Sequence, residues 1–197
     1  MSDANIRDLW KRIERLLEQH ASETAATLAP PATEPQIEAL EAAIGQTLPM
    51  ELRASLKVHD GQRDPTRCHA FCGEGMLLST AEIADRWKMV TQIDEDNRFS
   101  AAPGQGPWWK TSCIPFTDAE GNMLCVDTDP SLGSRVGEVV CHSMTAKSSV
   151  ASVAVTKHGC PPWRRDWRLA GFGSMITVIC GWTPKSCPSE CGAAVHA

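Results

Sequence analysis

Two cysteines and a histidine in one short loop are the first residues of this sequence that could do chemistry. Three residues separate Cys68 from Cys72, and His69 lies between them. Thiolate and imidazole are zinc ligands, but a structural zinc site needs a second pair of ligands. Cys187 and Cys191 repeat the spacing far along the chain, but spacing this loose is weak evidence for zinc. We expect no metal and no cofactor, with a metal-binding protein as an alternative.

A group of acids resembles a calcium-binding loop in its spacing only. Asp127, Asp129, Ser131 and Glu138 stand at the first, third, fifth and twelfth positions of such a loop, but Leu132 replaces the required glycine. Aspartates at these places accept hydrogen bonds from nearby turn amides. We therefore expect these acids to cap turns.

Catalytic motifs are missing from the sequence. It contains no G-x-S-x-G elbow, no P-loop and no dinucleotide fingerprint. His59 and His69 have no matching nucleophile, and His59 follows a predicted helix, whose dipole favours a histidine at its C-terminal end. We expect a protein that is not an enzyme, with an enzyme as a further alternative.

The elements that must position these residues centre on the segment 113–140. Apolar strand residues alternate there with turn residues, at 118–122 and 130–133. Glycine and asparagine tolerate positive φ and proline restricts its own, so these clusters reverse the chain. The pattern predicts three short antiparallel strands in a meander with one apolar face.

Helices that precede the meander are expected to cover that face. Apolar residues at helical spacing predict a helix from about residue 4 to 20. Thr33 and Gln36 form a predicted capping box for a second helix, which Gly45 ends. A third helix is predicted to begin at 48–49, and a fourth is capped by Ser79. Glu41 is expected to be a partly covered surface acid; the alternative is a buried acid that holds a backbone amide.

Charge divides the chain into two parts. Residues 1–140 hold 13 Lys and Arg against 22 Asp and Glu, a balance of −9, whereas residues 141–197 have a balance of +4. An acidic body argues against direct binding of nucleic acid. It favours a basic protein partner through electrostatic attraction.

The expected compartment is the cytoplasm. The first residues are charged, and no apolar run is as long as a membrane span. Nine cysteines without a secretory signal do not indicate a disulfide framework, so we expect reduced thiols.

An ordered set of motifs resembles the SUKH superfamily, the Smi/Knr type of domain. The set covers about residues 6–142 and comprises IEALEAAIGQTLP (37–49), HDGQ (59–62), LLST with EI and W (77–87), WW followed by CIPF (108–116), and GNMLCVDTDP with GEVV (121–140). Members include fungal cell-wall-assembly regulators and bacterial toxin-immunity proteins. The resemblance implies an α+β fold with an antiparallel or mixed sheet, no catalytic residues, and function through protein binding.

The chain departs from the family pattern after Val140. We therefore divide it into a SUKH-like domain, 1–142, and an atypical tail, 143–197, rich in Cys, Trp and Pro. The tail is interpreted either as a frame-shifted or poorly ordered segment or as a lineage-specific extension.

The function expected from the resemblance is that of a bacterial immunity protein that neutralises a nuclease-like toxin by direct binding. A regulatory scaffold in cell-wall assembly or signalling is the alternative. The partner would be a basic toxin domain, and the protein a monomer or weak dimer that binds neither nucleic acid nor membranes. The predicted partner-binding residues are acids and an exposed tryptophan: Asp60, Asp118, Glu120, Asp127, Asp129, Trp108 and Trp109.

The Trp108–Trp109 pair carries a more specific expectation. Tryptophan is over-represented in binding hot spots. Adjacent strand residues point to opposite faces, so we expect one ring to be buried and the other to lie exposed or at a rim.

Overall fold

A computed structural model describes residues 3–64, 69–71, 75–96, 108–129, 136–144 and 151–152 of this chain. Five helices precede or flank the main sheet: α1 (Asp3–His20), α2 (Ser22–Thr27), α3 (Glu34–Ile44), α4 (Met50–Leu56) and α5 (Thr80–Glu95). The strands are β1 (Met76–Leu77), β2 (Cys113–Pro115), β3 (Thr117–Asp118), β4 (Asn122–Asp127), β5 (Glu138–Ser143) and β6 (Ala151–Ser152). The fold class is α+β, as predicted.

The predicted meander is confirmed as the centre of the fold. β2, β4 and β5 are antiparallel neighbours in a four-stranded sheet of order β2-β4-β5-β6, and β1 pairs with β3 in a separate ribbon. The register places Cys113 opposite Asp127 and Met123 opposite His142. β5 runs to Ser143 and pairs with β6, so the sheet continues past the boundary predicted at residue 142. Most of the predicted tail, 153–197, lies outside the described residues.

Both faces of this sheet are buried, which corrects the expectation of one apolar face. Successive β4 residues belong to different clusters: Leu124 and Val126 pack with the helices on one face, and Met123 and Cys125 pack on the other. The first face packs, as predicted, in one cluster with helical residues, which come from α1, α3, α4 and the first half of α5. The second is covered by Val90 of α5 and by the Trp108–Trp109 segment. A continuous apolar strand such as MLCV is typical of a strand buried on both sides.

Local signals placed the helices correctly. Six apolar residues at helical spacing predicted α1, of which Ile6, Trp10, Ile13 and Leu17 are buried and Leu9 and Leu16 are half-buried. α3 begins with its predicted capping box at Thr33 and ends at Gly45, whose φ is 69°. The short helix α2 was not predicted.

Two side chains next to the helices make contacts that their local sequence did not show. Glu41 is half-buried, as favoured, and it also accepts hydrogen bonds from the Leu48 amide (2.9 Å) and from Arg53 (2.8 Å), so it holds a backbone amide without being fully buried. The His59 ring contacts the Ala29 carbonyl (2.7 Å) and Glu14 (2.8 Å). It therefore joins α1 to the connector before α3, in addition to following α4.

Candidate functional site

The HDGQ segment, residues 59–62, is a junction between elements that are distant in sequence. Asp60 accepts a hydrogen bond from the Thr80 amide at the start of α5, at 2.6 Å. Its other carboxylate oxygen accepts from Gln36 of α3, at 3.2 Å. Because a helix N-terminus has unpaired amides and a positive dipole end, a carboxylate is favoured there. Asp60 therefore joins the first turns of two helices.

Gln62 extends the junction inward. Its side chain is 6% exposed. Its oxygen accepts from the Leu77 amide (2.9 Å), and its nitrogen donates to Thr27 (2.7 Å) and to the His69 carbonyl (2.9 Å). Three hydrogen bonds satisfy most of the capacity of this buried amide. The segment holds the fold together through its polar side chains.

Asp118 and Asp127 do not belong to an exposed acidic surface, and this part of the prediction is wrong. Asp118 is 4% exposed and pairs with Arg86 of α5 at 2.7 Å. Asp127 is 1% exposed and pairs with Lys110 at 2.6 Å. A buried carboxylate needs such a partner because loss of solvation penalises its charge.

The prediction of turn capping is confirmed for Asp127, which accepts a hydrogen bond from the Asp129 amide at 3.0 Å. Asp118, which that prediction did not include, likewise accepts from the Gly121 amide at 3.0 Å. Of the remaining predicted acids, Glu120 is exposed, whereas Asp60 and Asp129 are half-buried. The structure thus does not bring the five acids together on one surface.

Trp108 and Trp109 are both buried, at 2% and 3% exposed, which corrects the expectation that one ring would be accessible. The alternation argument fails because both residues precede β2 and are not part of a strand. Their rings pack on the second face of the sheet, and Trp109 donates to the Thr91 hydroxyl of α5 at 3.0 Å.

His142 of β5 is a notable residue that sequence reasoning missed. It is 1% exposed, and its ring makes edge contacts with Trp108 (centroids 4.8 Å apart) and Trp109 (5.0 Å). Neither ring nitrogen has a hydrogen-bond partner within the part of the chain that is described. Burial lowers the pKa of His142 to about 4. The alternation of β5 was the available signal, because it places His142 on the same face as Val140.

The candidate metal ligands divide between described and undescribed residues. Cys68 and Cys72 lie outside the described residues. His69 contacts Asp64 (2.8 Å) and Glu23 (3.3 Å), and its hydrogen bond to Asp64 raises its pKa. Among the described residues, no three metal-ligating side chains of the His, Cys, Asp and Glu types come together.

Cys113 and Cys125 are core residues, as expected. Burial raises the pKa of Cys113 to about 12 and raises that of Cys125 well above its usual value. Both thiols pack on the second face of the sheet. They are small apolar side chains in this structure.

Comparison with known proteins identifies the family. The profile of the SMI1 / KNR4 family (SUKH-1) matches residues 31–156, more than half of the chain. The chain belongs to this family. The matched span begins just before α3 and includes all of the meander, so the SMI1 / KNR4 match coincides with the junction and the main sheet.

Several fungal proteins resemble the chain at low sequence identity. A KNR4/SMI1 homolog of Yarrowia lipolytica is 29% identical over 181 residues, 89% of this chain and 22% of the relative. A cell wall biosynthesis/cell cycle regulator, smi1, of Schizosaccharomyces pombe is 28% identical over 154 residues, 68% of this chain and 31% of the relative. A glucan synthesis regulatory protein of Neurospora crassa is 29% identical over 87 residues, 44% of this chain and 16% of the relative.

These matches have two consequences. The chain spans less than a third of the length of each of these relatives. The first match covers 89% of the chain, so it extends past residue 156 and into the predicted tail.

Within the described part of the chain, no helix is long and apolar enough to cross a bilayer.

Proposed function

We propose that this chain is a non-enzymatic protein-binding domain that acts as a regulatory scaffold in cell-wall synthesis. Its membership of the SMI1 / KNR4 family is the observation that supports the proposal most directly. Two of its fungal relatives are named as regulators of cell wall biosynthesis and of glucan synthesis. Because the chain corresponds to only part of those proteins, the proposal concerns the binding role of one domain.

The proposed contact surface lies on the outer sides of α3 and α5. These helices pack against each other, and Asp60 joins their first turns. Glu38 of α3 and Asp85 of α5 are exposed. The Arg86–Asp118 ion pair brings the turn that carries the exposed Glu120 towards α5. We call Glu38, Asp85 and Glu120 the acidic face; it replaces the predicted surface, whose Asp118 and Asp127 are buried.

A basic partner would suit this face. Complementary charge at the rim of an interface speeds association and makes it sensitive to salt. The excess of acids over residues 1–140 has the same sign as the face, so the surrounding field would also attract a basic protein.

A second candidate function is immunity, in which the chain neutralises a nuclease-like toxin. The observation in its favour is again the acidic balance of −9 over residues 1–140, which is complementary to the basic cleft that a nuclease needs for its substrate. The same acidic face would cover that cleft. In both functions we propose a cytoplasmic protein, monomeric or weakly dimeric, that binds neither nucleic acid nor membranes directly.

Affinity capture from the cells that encode the protein, read by mass spectrometry, tests both functions. Recovery of wall-synthesis or signalling proteins would support the regulatory scaffold. Recovery of a basic nuclease-like domain would support immunity. A folded, tagged chain that captures neither class would contradict both proposals.

Charge reversal tests the surface once a partner is in hand. Glu38→Lys with Asp85→Lys should weaken binding at least tenfold at low salt, and the loss should shrink as salt rises. The matched control reverses two exposed acids of α1, Asp3→Lys with Glu18→Lys, and should leave affinity within about twofold. Equal losses in the two double variants would show that only net charge matters and would remove the acidic face from the interface.

A further inference from the structure

His142 is a buried imidazole whose ring nitrogens lack a hydrogen-bond partner among the described residues. It is 1% exposed, and neither ring nitrogen forms a hydrogen bond within the described residues. Buried polar groups are ordinarily hydrogen-bonded, and an exception calls for a physical explanation. The ring instead meets the indoles of Trp108 and Trp109 at interplanar angles of 74° and 72°. The neutral ring fits such a setting as an aromatic group.

The same buried, aromatic surroundings disfavour the protonated form of the His142 ring. A protonated imidazole has two N–H donors and a full charge, and burial of an unpaired charge is costly. The two indoles offer a cation–π attraction, worth on the order of 2 kcal/mol when desolvated. Loss of solvation on burial nevertheless disfavours the charged form of His142, and it lowers the pKa of this residue to about 4.

Other titratable groups on the packed elements do not change this picture. The thiols of Cys113 and Cys125 share the cluster with His142, and burial raises the pKa of both. Among the described residues of the surrounding elements, the ionised side chains either form ion pairs or are not fully buried. Those in ion pairs are Arg86 with Asp118 and Lys110 with Asp127, and those that are exposed or half-buried, on α5 and at its C-terminal end, are Glu82, Asp85, Lys88, Asp94, Glu95 and Asp96.

The Trp108–Trp109 segment is held mainly by apolar packing, in one buried cluster with Val90, Met123 and Val140. On the side facing β5 it rests on the His142 ring, and on the side facing α5 one hydrogen bond joins Trp109 to Thr91. The next residue, Lys110, is fixed by its buried ion pair with Asp127. The segment therefore has a firm anchor at its C-terminal end and an uncharged aromatic contact with the sheet.

We propose that His142 is a proton-sensitive switch: in mild acid its protonation releases the Trp108–Trp109 segment from β5 and exposes both indoles. The protonated ring gains water in the open state, whereas in the closed state the described residues give its nitrogens no hydrogen-bond partner. Tryptophan is the residue type most enriched in binding hot spots. The switch thus exposes an aromatic surface that is buried at neutral pH.

Hydrogen exchange of the full chain at pH 7 and pH 5 tests the switch, after correction for the intrinsic pH dependence of exchange. With a pKa of about 4 in the closed state and about 6.5 in the open state, the opening equilibrium should rise about 20-fold between the two pH values. Protection of the Trp109 indole N–H, which donates to Thr91 in the closed state, should fall by that factor, while protection of α3 and α4 should stay constant.

Variants separate the switch from general acid unfolding. His142→Phe keeps an aromatic ring that cannot titrate, so the pH dependence of exchange at the Trp109 indole N–H should disappear; His142→Leu serves the same purpose if the phenyl ring does not fit. His20→Phe, at an exposed histidine of α1, is the matched control and should behave like the wild type. An unchanged 20-fold effect in either His142 variant would overturn the proposal. So would equal loss of protection throughout α3 and α4, or no acid effect in the wild type, which would mean that cation–π attraction retains the charged ring.

Discussion

Replacement of Gly61 by alanine is the perturbation that probes the HDGQ junction most directly. Gly61 has a φ of 73°, and a Cβ added there would lie 2.4 Å from the Ser79 amide nitrogen and 2.6 Å from the Leu78 carbonyl carbon. These are backbone atoms, so no side chain can turn aside to make room. The backbone at residue 61 and the backbone at residues 78–79 would have to separate by roughly 1 Å before the added Cβ lay at an ordinary van der Waals distance.

Gly45 offers a control in the same chain. Its φ is 69°, close to that of Gly61, and a Cβ added there meets nothing within 4 Å. Left-handed backbone costs an alanine about 1–2 kcal/mol, partly offset by about 0.4–1 kcal/mol because alanine restricts the unfolded chain. Gly45→Ala should therefore lower the free energy of unfolding by about 1 kcal/mol.

Gly61→Ala should cost considerably more. Separation at this point would stretch three hydrogen bonds. The Gln62 amide donates to the Leu77 carbonyl (3.0 Å), the Leu77 amide donates to the Gln62 side chain, and the Thr80 amide donates to Asp60. Three hydrogen bonds weakened at about 0.5–1.5 kcal/mol each add roughly 2–4 kcal/mol to the conformational cost. The expected loss is about 3–5 kcal/mol.

Urea unfolding of both variants, followed by circular dichroism, measures the difference. Gly61→Ala should be less stable than Gly45→Ala by at least about 2 kcal/mol, in line with the added cost of the steric contact. Losses that agree within about 0.5 kcal/mol would refute the reasoning, because they would show that the junction yields without breaking its hydrogen bonds.

Three further predictions concern charged and titratable groups. Lys110→Met should destabilise the fold by about 3–5 kcal/mol because it removes the cation of a buried ion pair with Asp127, and the second change Asp127→Asn should recover more than half of the loss in urea unfolding; no recovery would mean that the lysine stem, not its charge, matters. His69→Gln should lower the melting temperature at pH 5.5 and have less effect at pH 8.5, because a raised pKa gives stability that is present below the unfolded pKa and is lost as pH rises through the folded pKa; an effect that grows with pH would contradict this sign. Cys113 and Cys125 should resist iodoacetamide at pH 8 in the folded protein, because burial suppresses their thiolates; peptide mass spectrometry showing alkylation as fast as in urea would disprove it.

Structural features that depend on only a few neighbouring residues could be predicted from the sequence. The capping boxes of Thr33 and Ser79 are closed by side chains three residues away, at 2.9 Å and 2.8 Å. The stripe of α1 and the meander follow from the periods of helix and strand. Such features depend on neighbours in the chain, so the α+β class and the family resemblance could be predicted from the sequence.

The exposure of individual acids and aromatics could not be predicted in the same way. Asp118 is buried because Arg86, 32 residues away, reaches it from α5, and Asp127 is buried because Lys110 closes over it. Glu41 likewise owes its role to Arg53 and Leu48. A carboxylate has the same hydropathy in every one of these positions, and only the packing of a distant element decides whether it faces a partner or water.

The sequence by itself thus determined the order of the longer helices and of the three meander strands, several of the turns and caps between them, and the acidic character of the body. The tertiary structure alone decided that Trp108 and Trp109 are both buried and that His142 lies against them. It also decided that Asp60 joins two helices. The physical reason is range: propensities, caps and periodicity act within a turn or two of the chain, whereas burial and charge pairing depend on which segments close over one another.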